Sequence, residues 1–191
     1  SSEGFSAFRP MPLPSQLAEL TALTVLDLHA NSLGGTVPSQ LGRLTNLREL
    51  ALGHNMLSGT VPTELGLLTE LTELTLHANA LRGPLPSQLG RLSKLRVLYV
   101  HDNQLSSSIP SQLGRLTGLR LLSLYSNRMR GMLPCDLGQL SHLSYCHLEQ
   151  SQTDFACHPR PCASTLPAAC GDVACVVHPP GAGGCASGRE G

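Results

Sequence analysis

The chain has 191 residues, of which 41% are hydrophobic, 14% charged and 3% aromatic, and its formal net charge is zero. That balance excludes nucleic acid or an anionic membrane surface as the main partner, and no apolar run reaches the roughly 18 residues that a bilayer span requires. Leucine fills 38 positions, 37 of them before residue 149, and so lopsided a use of one residue type points to an internal repeat.

Residues 1–20 contain no apolar stretch flanked by positive charge, so no signal peptide is expected within them. The N-terminal segment, residues 1–19, ends in a partial repeat, because Leu13, Pro14, Ser15, Gln16 and Leu17 match Val37, Pro38, Ser39, Gln40 and Leu41. From Leu20 one pattern returns every 24 residues without insertion or deletion. Its six units start at Leu20, Leu44, Leu68, Leu92, Leu116 and Leu140, and the repeat domain is placed at residues 20–150.

Within a unit, the alternation Leu26, Asp27, Leu28, His29 predicts a short half-buried strand. The inward pairs of the next units are Leu50 and Leu52, Leu74 and Leu76, Leu98 and Val100, Leu122 and Leu124. One strand per unit forces the strands to stack in parallel, roughly 4.8 Å apart. Each coil then buries leucines against its neighbours at roughly 1.5–3 kcal/mol per side chain, and no coil could hold such a core alone.

Asn31, Asn55, Asn79, Asn103 and Asn127 fall where the chain leaves the strand, and are expected to form an amide ladder to the backbone of adjacent coils. Gly35, Gly59, Gly83 and Gly131 follow, with Ser107 as the exception. The Pro38, Pro62, Pro86, Pro110 and Pro134 column predicts an extended or short-helical outer side. Gly42, Gly66, Gly90, Gly114 and Gly138 are expected to close each unit with a tight bend.

Composition changes after Leu148. Cys135, Cys146, Cys157, Cys162, Cys170, Cys175 and Cys185 all lie in the last third of the chain. Residues 151–175 are therefore expected to form a disulfide-bonded cap of an oxidising compartment, and residues 176–191 a flexible tail. Cys146 stands in the inward column of Leu26 and Cys157 in that of Val37, so a bridge between them would seal the end of the core. Two C-x4-C pairs, Cys157 with Cys162 and Cys170 with Cys175, also allow a zinc reading, which carries less weight. The odd number leaves one thiol over, and connectivity stays open.

The unit LxxLxxLxLxxNxLxGxVPxxLGxL, carried by residues 13–150, resembles the plant-type leucine-rich repeat of receptor-kinase ectodomains and polygalacturonase-inhibiting proteins, and of surface proteins of algae and other protists. The resemblance implies an α/β-type repeat solenoid: a right-handed horseshoe with a parallel concave sheet that binds proteins, peptides or glycans. It also implies an extracellular or cell-surface setting, with any membrane attachment supplied by segments outside this sequence. The stretch from Cys146 to Cys162 is similar to the Cys-containing caps that end many such domains. Residues 1–12 depart from the family in lacking a Cys pair and a Trp-containing cap, so the expectation is either a truncated N-terminal end or an unusual cap made by Phe5 and Phe8.

Only the outward strand positions are not needed for packing. The candidate ligand-binding residues there are Asp27, His29, Glu49, His54, Glu73, Thr75, His77, Tyr99, His101, Asp102, Tyr125, Tyr145 and His147. All three tyrosines and five of the eight histidines of the chain fall in these columns, and such residues give contact area and hydrogen bonds at low entropic cost. The face is expected to be mildly acidic at neutral pH and to turn cationic as its histidines protonate near about pH 6. His54, His77, His101 and Asp102 cluster without a closed ligand shell, so no metal or cofactor is expected. No nucleophile is paired with a base, so no enzyme is expected either. The reading is a recognition module for a protein or peptide, with a glycan as a further ligand class. An inhibitor of a secreted polysaccharide hydrolase and a structural cell-surface or wall protein are the alternatives.

Overall fold

The computed structural model describes residues 10–148 and the strand Phe155–Ala156. The strands Val25–Asp27, Glu49–Ala51, Glu73–Thr75, Val97–Tyr99, Leu121–Ser123 and Tyr145–His147 form one parallel six-stranded sheet, here the inner sheet. Its register is the sequence repeat itself: Leu26 pairs with Leu50, Leu50 with Leu74, Leu74 with Leu98, Leu98 with Leu122 and Leu122 with Cys146. The inward leucines therefore lie on copies of themselves. In the third coil Leu68, Leu71, Leu74, Leu76, Leu81, Leu85 and Leu89 are each no more than 1% exposed.

The asparagines form the expected ladder. Asn103 Nδ2 donates to the carbonyls of Val100 and His101 in its own coil and of Leu76 in the coil before, while its Oδ1 accepts the Leu81 N–H at 2.9 Å. Asn55, Asn79 and Asn127 repeat that pattern. Asn31 is exposed and donates to carbonyls of its own coil, Leu28 and His29. To reach the ladder the chain turns sharply one residue earlier. Ala30, His54, Ala78, Asp102 and Ser126 sit there with φ between 51° and 53°, a left-handed conformation in non-glycine residues that no local signal announces.

Beyond the asparagines lies a second parallel sheet that the sequence reading did not anticipate. Its strands are Met11–Pro12, Leu33–Thr36, Met56–Gly59, Ala80–Pro84, Gln104–Ser107 and Arg128–Met129. The extended segment before each Pro leaves its peptide groups sideways, and the neighbouring coil is the only partner within reach. Each proline then leads into a five-residue 3-10 turn, as Pro38 at φ −66° and ψ 129° leads into Ser39–Arg43. The outer side is thus short-helical, as expected.

The glycines of these turns have a different task from the one assigned to them. Gly66 lies inside the turn Thr63–Leu67, not at a left-handed bend, and a Cβ on it would stand 2.5 Å from the Gln88 carbonyl of the next coil. Absence of a side chain lets successive coils touch; it is not used for bending. Left-handed backbone belongs instead to Gly35, Gly59, Gly83 and Gly131, and to Ser107 at φ 71°.

Cys135 opens the turn Cys135–Gln139, and Cys146 packs against the core from the last inner strand; both are disulfide-bonded. Phe155–Ala156 pairs in parallel with Gly131–Met132, Gly131 opposite Phe155, so the 24-residue offset continues past residue 150. Phe5 and Phe8, the five remaining cysteines and residues 176–191 lie outside the described residues.

Three substitutions test this account by urea denaturation. Asn103→Ala leaves the buried Leu81 N–H unpaired and should cost about 2–3 kcal/mol, whereas Asn31→Ala should cost about 0.5–1 kcal/mol. Ser107→Gly should raise stability by about 1 kcal/mol, because a Cβ is disfavoured at its φ.

Candidate functional site

The outward residues of the inner sheet line up as the spacing predicts. Asp27, Ala51, Thr75, Tyr99, Ser123 and His147 are mutual register partners, as are Val25, Glu49, Glu73, Val97, Leu121 and Tyr145. His29, Gly53, His77, His101 and Tyr125 follow two residues after the first column, just past the strand ends, and His54 and Asp102 sit at the left-handed turns. Thr75 is only 6% exposed, so a ligand reaches it only if its neighbours move aside. Asp27 spends one carboxylate oxygen on the His29 N–H, at 2.9 Å.

Parallel strand spacing stacks the rings. His77 lies on His101 at 4.7 Å between centroids, His101 on Tyr125 at 4.5 Å, and Tyr125 on His147 at 4.3 Å, the first two pairs only 17° from parallel. Tyr99 stands edge-on to both His77 and His101, at 6.2 and 5.6 Å. Because the faces of the stacked rings cover one another, what they offer a partner is their polar edges. Tyr99, His101, Leu121, Ser123, Tyr125 and Tyr145 surround an open depression of about 340 Å³. Ser123 in its wall is 1% exposed, and its Oγ has no hydrogen-bond partner in the protein.

Electrostatics follow from the packing. Burial raises the Tyr99 and Tyr125 phenols above their ordinary value, with the Asp102 carboxylate adding to the effect at Tyr125. Burial also lowers His101, and lowers His77 to about 4, where the neighbouring His101, His54 and His29 push further in the same direction. The expected gain of positive charge near about pH 6 therefore fails at His77, and at His101 burial moves it to lower pH.

The other end of the face is built differently. Glu49 and Glu73 are register partners, and burial together with Glu49 and Asp27 holds the Glu73 carboxyl above its usual value. Past the strand ends of the first three coils the rings of His29, His54 and His77 form a triangle with centroid separations of 5.1, 5.0 and 5.5 Å. The sequence reading grouped His54 and His77 with His101 and Asp102 and left His29 out. The gap at Gly53, open to His54 on the sequence alone, is filled by the His77 imidazole, and that lean is what brings His29 into the group.

Coils in strict register, two parallel sheets and an asparagine ladder between them define a repeat solenoid with one decorated inner face. Models of the leucine-rich repeat match residues 21–81 and 94–116. The ectodomain of the plant membrane receptor kinase GASSHO1/SCHENGEN3 from Arabidopsis thaliana, solved in complex with CASPARIAN STRIP INTEGRITY FACTOR 2, is 39% identical over 76% of this chain and 17% of its own, with a TM-score of 0.73. The Arabidopsis receptor kinase HAESA, in complex with the peptide hormone IDA and the co-receptor SERK1, is 36% identical over 77% of this chain and 24% of its own, with a TM-score of 0.70. A chain of the BIR3–SERK2 complex from Arabidopsis thaliana is 34% identical over 72% of both chains, with a TM-score of 0.59. The protein belongs to the plant-type leucine-rich-repeat family. It spans about a fifth of the two larger receptors. No curated protein matches the chain by sequence. Among the described residues, no helix is long and apolar enough to cross a membrane.

Glu73→Gln tests the acidic cluster. A carboxyl whose folded pKa is raised destabilises the fold above that pKa and stops doing so once protonated. The substitution should therefore raise the melting midpoint at neutral pH by about 1–2 °C, given solvent screening of a half-buried group. The gain should fade as pH falls through the raised carboxyl value, as a calorimetric pH series would register.

Proposed function

We propose that the protein is an extracellular recognition module that holds a protein or peptide ligand along the concave face of its inner sheet. The observation that carries the reading is the stacked row His77, His101, Tyr125 and His147 beside the depression lined by Tyr99 and Tyr145. A peptide backbone needs donors and acceptors at regular intervals, and the row supplies ring edges at strand spacing. The depression takes one side chain, which would meet Tyr99, Tyr125 and Tyr145 at its border. Sugar rings stack on exposed aromatic faces; along the row those faces cover one another, which favours a peptide, while Tyr99 and Tyr145 make only edge contacts and keep a glycan as a further ligand class.

The two larger related receptors were solved with a bound partner, a peptide hormone in the case of HAESA. Disulfides at Cys135 and Cys146 suit an oxidising compartment outside the cell. A sheet that is already rigid loses little entropy on binding, so modest contacts suffice. These features favour binding over catalysis. An inhibitor of a secreted polysaccharide hydrolase would use the same face on a folded partner, and a structural wall protein would not depend on it.

Panning the full chain against a displayed library of short peptides tests the proposal. Selected peptides should lose at least about tenfold in affinity on Tyr99→Ala or Tyr125→Ala, the usual cost of a central aromatic contact, while the melting midpoint stays within a degree or so. Failure to select any peptide, or peptides that bind both variants as tightly as the parent, would overturn it.

A further inference from the structure

Successive coils place one histidine each at the N-terminal end of the inner face: His29, His54 and His77. We propose that these three imidazoles form a site for a divalent transition metal of the zinc class, with the remaining coordination position open to solvent or to an oxygen of a bound molecule.

The geometry is the argument. One ring nitrogen from each histidine lies within 4.8 Å of the corresponding atoms of the other two. Three imidazoles bound at about 2.0–2.1 Å in a tetrahedral shell have ring centroids roughly 5 Å apart. The observed triangle, 5.0, 5.1 and 5.5 Å, already has that size. Closing the shell needs rotation of the rings and no shift of the backbone. His29 and His54 are exposed and free to turn, while His77 is held from behind by its stack on His101.

Such a meeting is not an automatic product of the repeat. His29 and His77 belong to coils two apart, which the strand spacing separates by roughly 9.6 Å, yet their rings are 5.5 Å apart. Gly53 makes the difference. It occupies the intervening position of the same column without a side chain, so His77 leans across it, and the left-handed turn at His54 brings the third ring to the gap. Chemistry agrees with geometry: imidazole nitrogens suit zinc, copper and nickel, and a metal binds only the deprotonated ring. Burial and its neighbours keep His77 deprotonated at neutral pH. Its Nδ1 is buried without a hydrogen-bond partner among the described residues.

The test is calorimetric titration of the full, tag-free chain with zinc ion alone, paired with visible spectroscopy of the cobalt form. One ion should bind per chain in the micromolar range or tighter, and cobalt should give tetrahedral bands without a thiolate charge-transfer band, which separates this site from the cysteines. His29→Gln and His54→Gln should each weaken binding at least tenfold. Gly53→Ala should do the same although it removes no ligand, because its Cβ would lie 2.5 Å from His77 Cε1. His142→Gln, an exposed histidine elsewhere, should leave binding unchanged. Absence of binding, binding that survives the Gly53 and histidine variants, or a cobalt spectrum dominated by thiolate would overturn the proposal.

Discussion

Every described coil of this protein lies against its own counterpart 24 positions away in the sequence. That constraint selects side chains that gain by meeting copies of themselves. Leucine does so through dispersion and exclusion of water. Asparagine does so because one amide can serve two coils at once, donating back to the preceding turn and accepting from it. Rings do so by stacking at the spacing of parallel strands. The ladder also ties each coil to the one before: Asn127 is 3% exposed and bonds both within its own coil and to the preceding one.

Much of this was legible in the residues. Leu26, Leu50 and their successors identify the inner strand, the asparagine column the exit from it, and the proline column the outer turn. These features were readable because each is stated several times over at a fixed interval. Features that depend on contact between unlike parts were not readable. The second sheet arises from peptide groups with no local partner, which the pattern LxGxVP does not advertise. The left-handed residues Ala30 and Ala78 carry side chains that give no warning of their conformation. Glycines such as Gly66 looked like bends because their partner, a carbonyl of the next coil, is 22 residues distant.

The same division runs through the functional face. Its columns could be written down from the spacing, and the structure aligns them accordingly. What the spacing could not give is where a missing side chain lets another lean. Gly53 is the gap across which His77 leans toward His29, so one imidazole belongs both to the triangle and to the stacked row that runs on toward the depression. The low proton affinity of His77 likewise arises from its company and its burial, not from its place in the sequence.

The chain contains no tryptophan, and its three tyrosines, Tyr99, Tyr125 and Tyr145, all border the same depression. Near-ultraviolet emission from this molecule consequently originates at one spot. Whatever settles there will alter the intensity of that glow directly, with no dye attached and no background from fluorophores buried elsewhere.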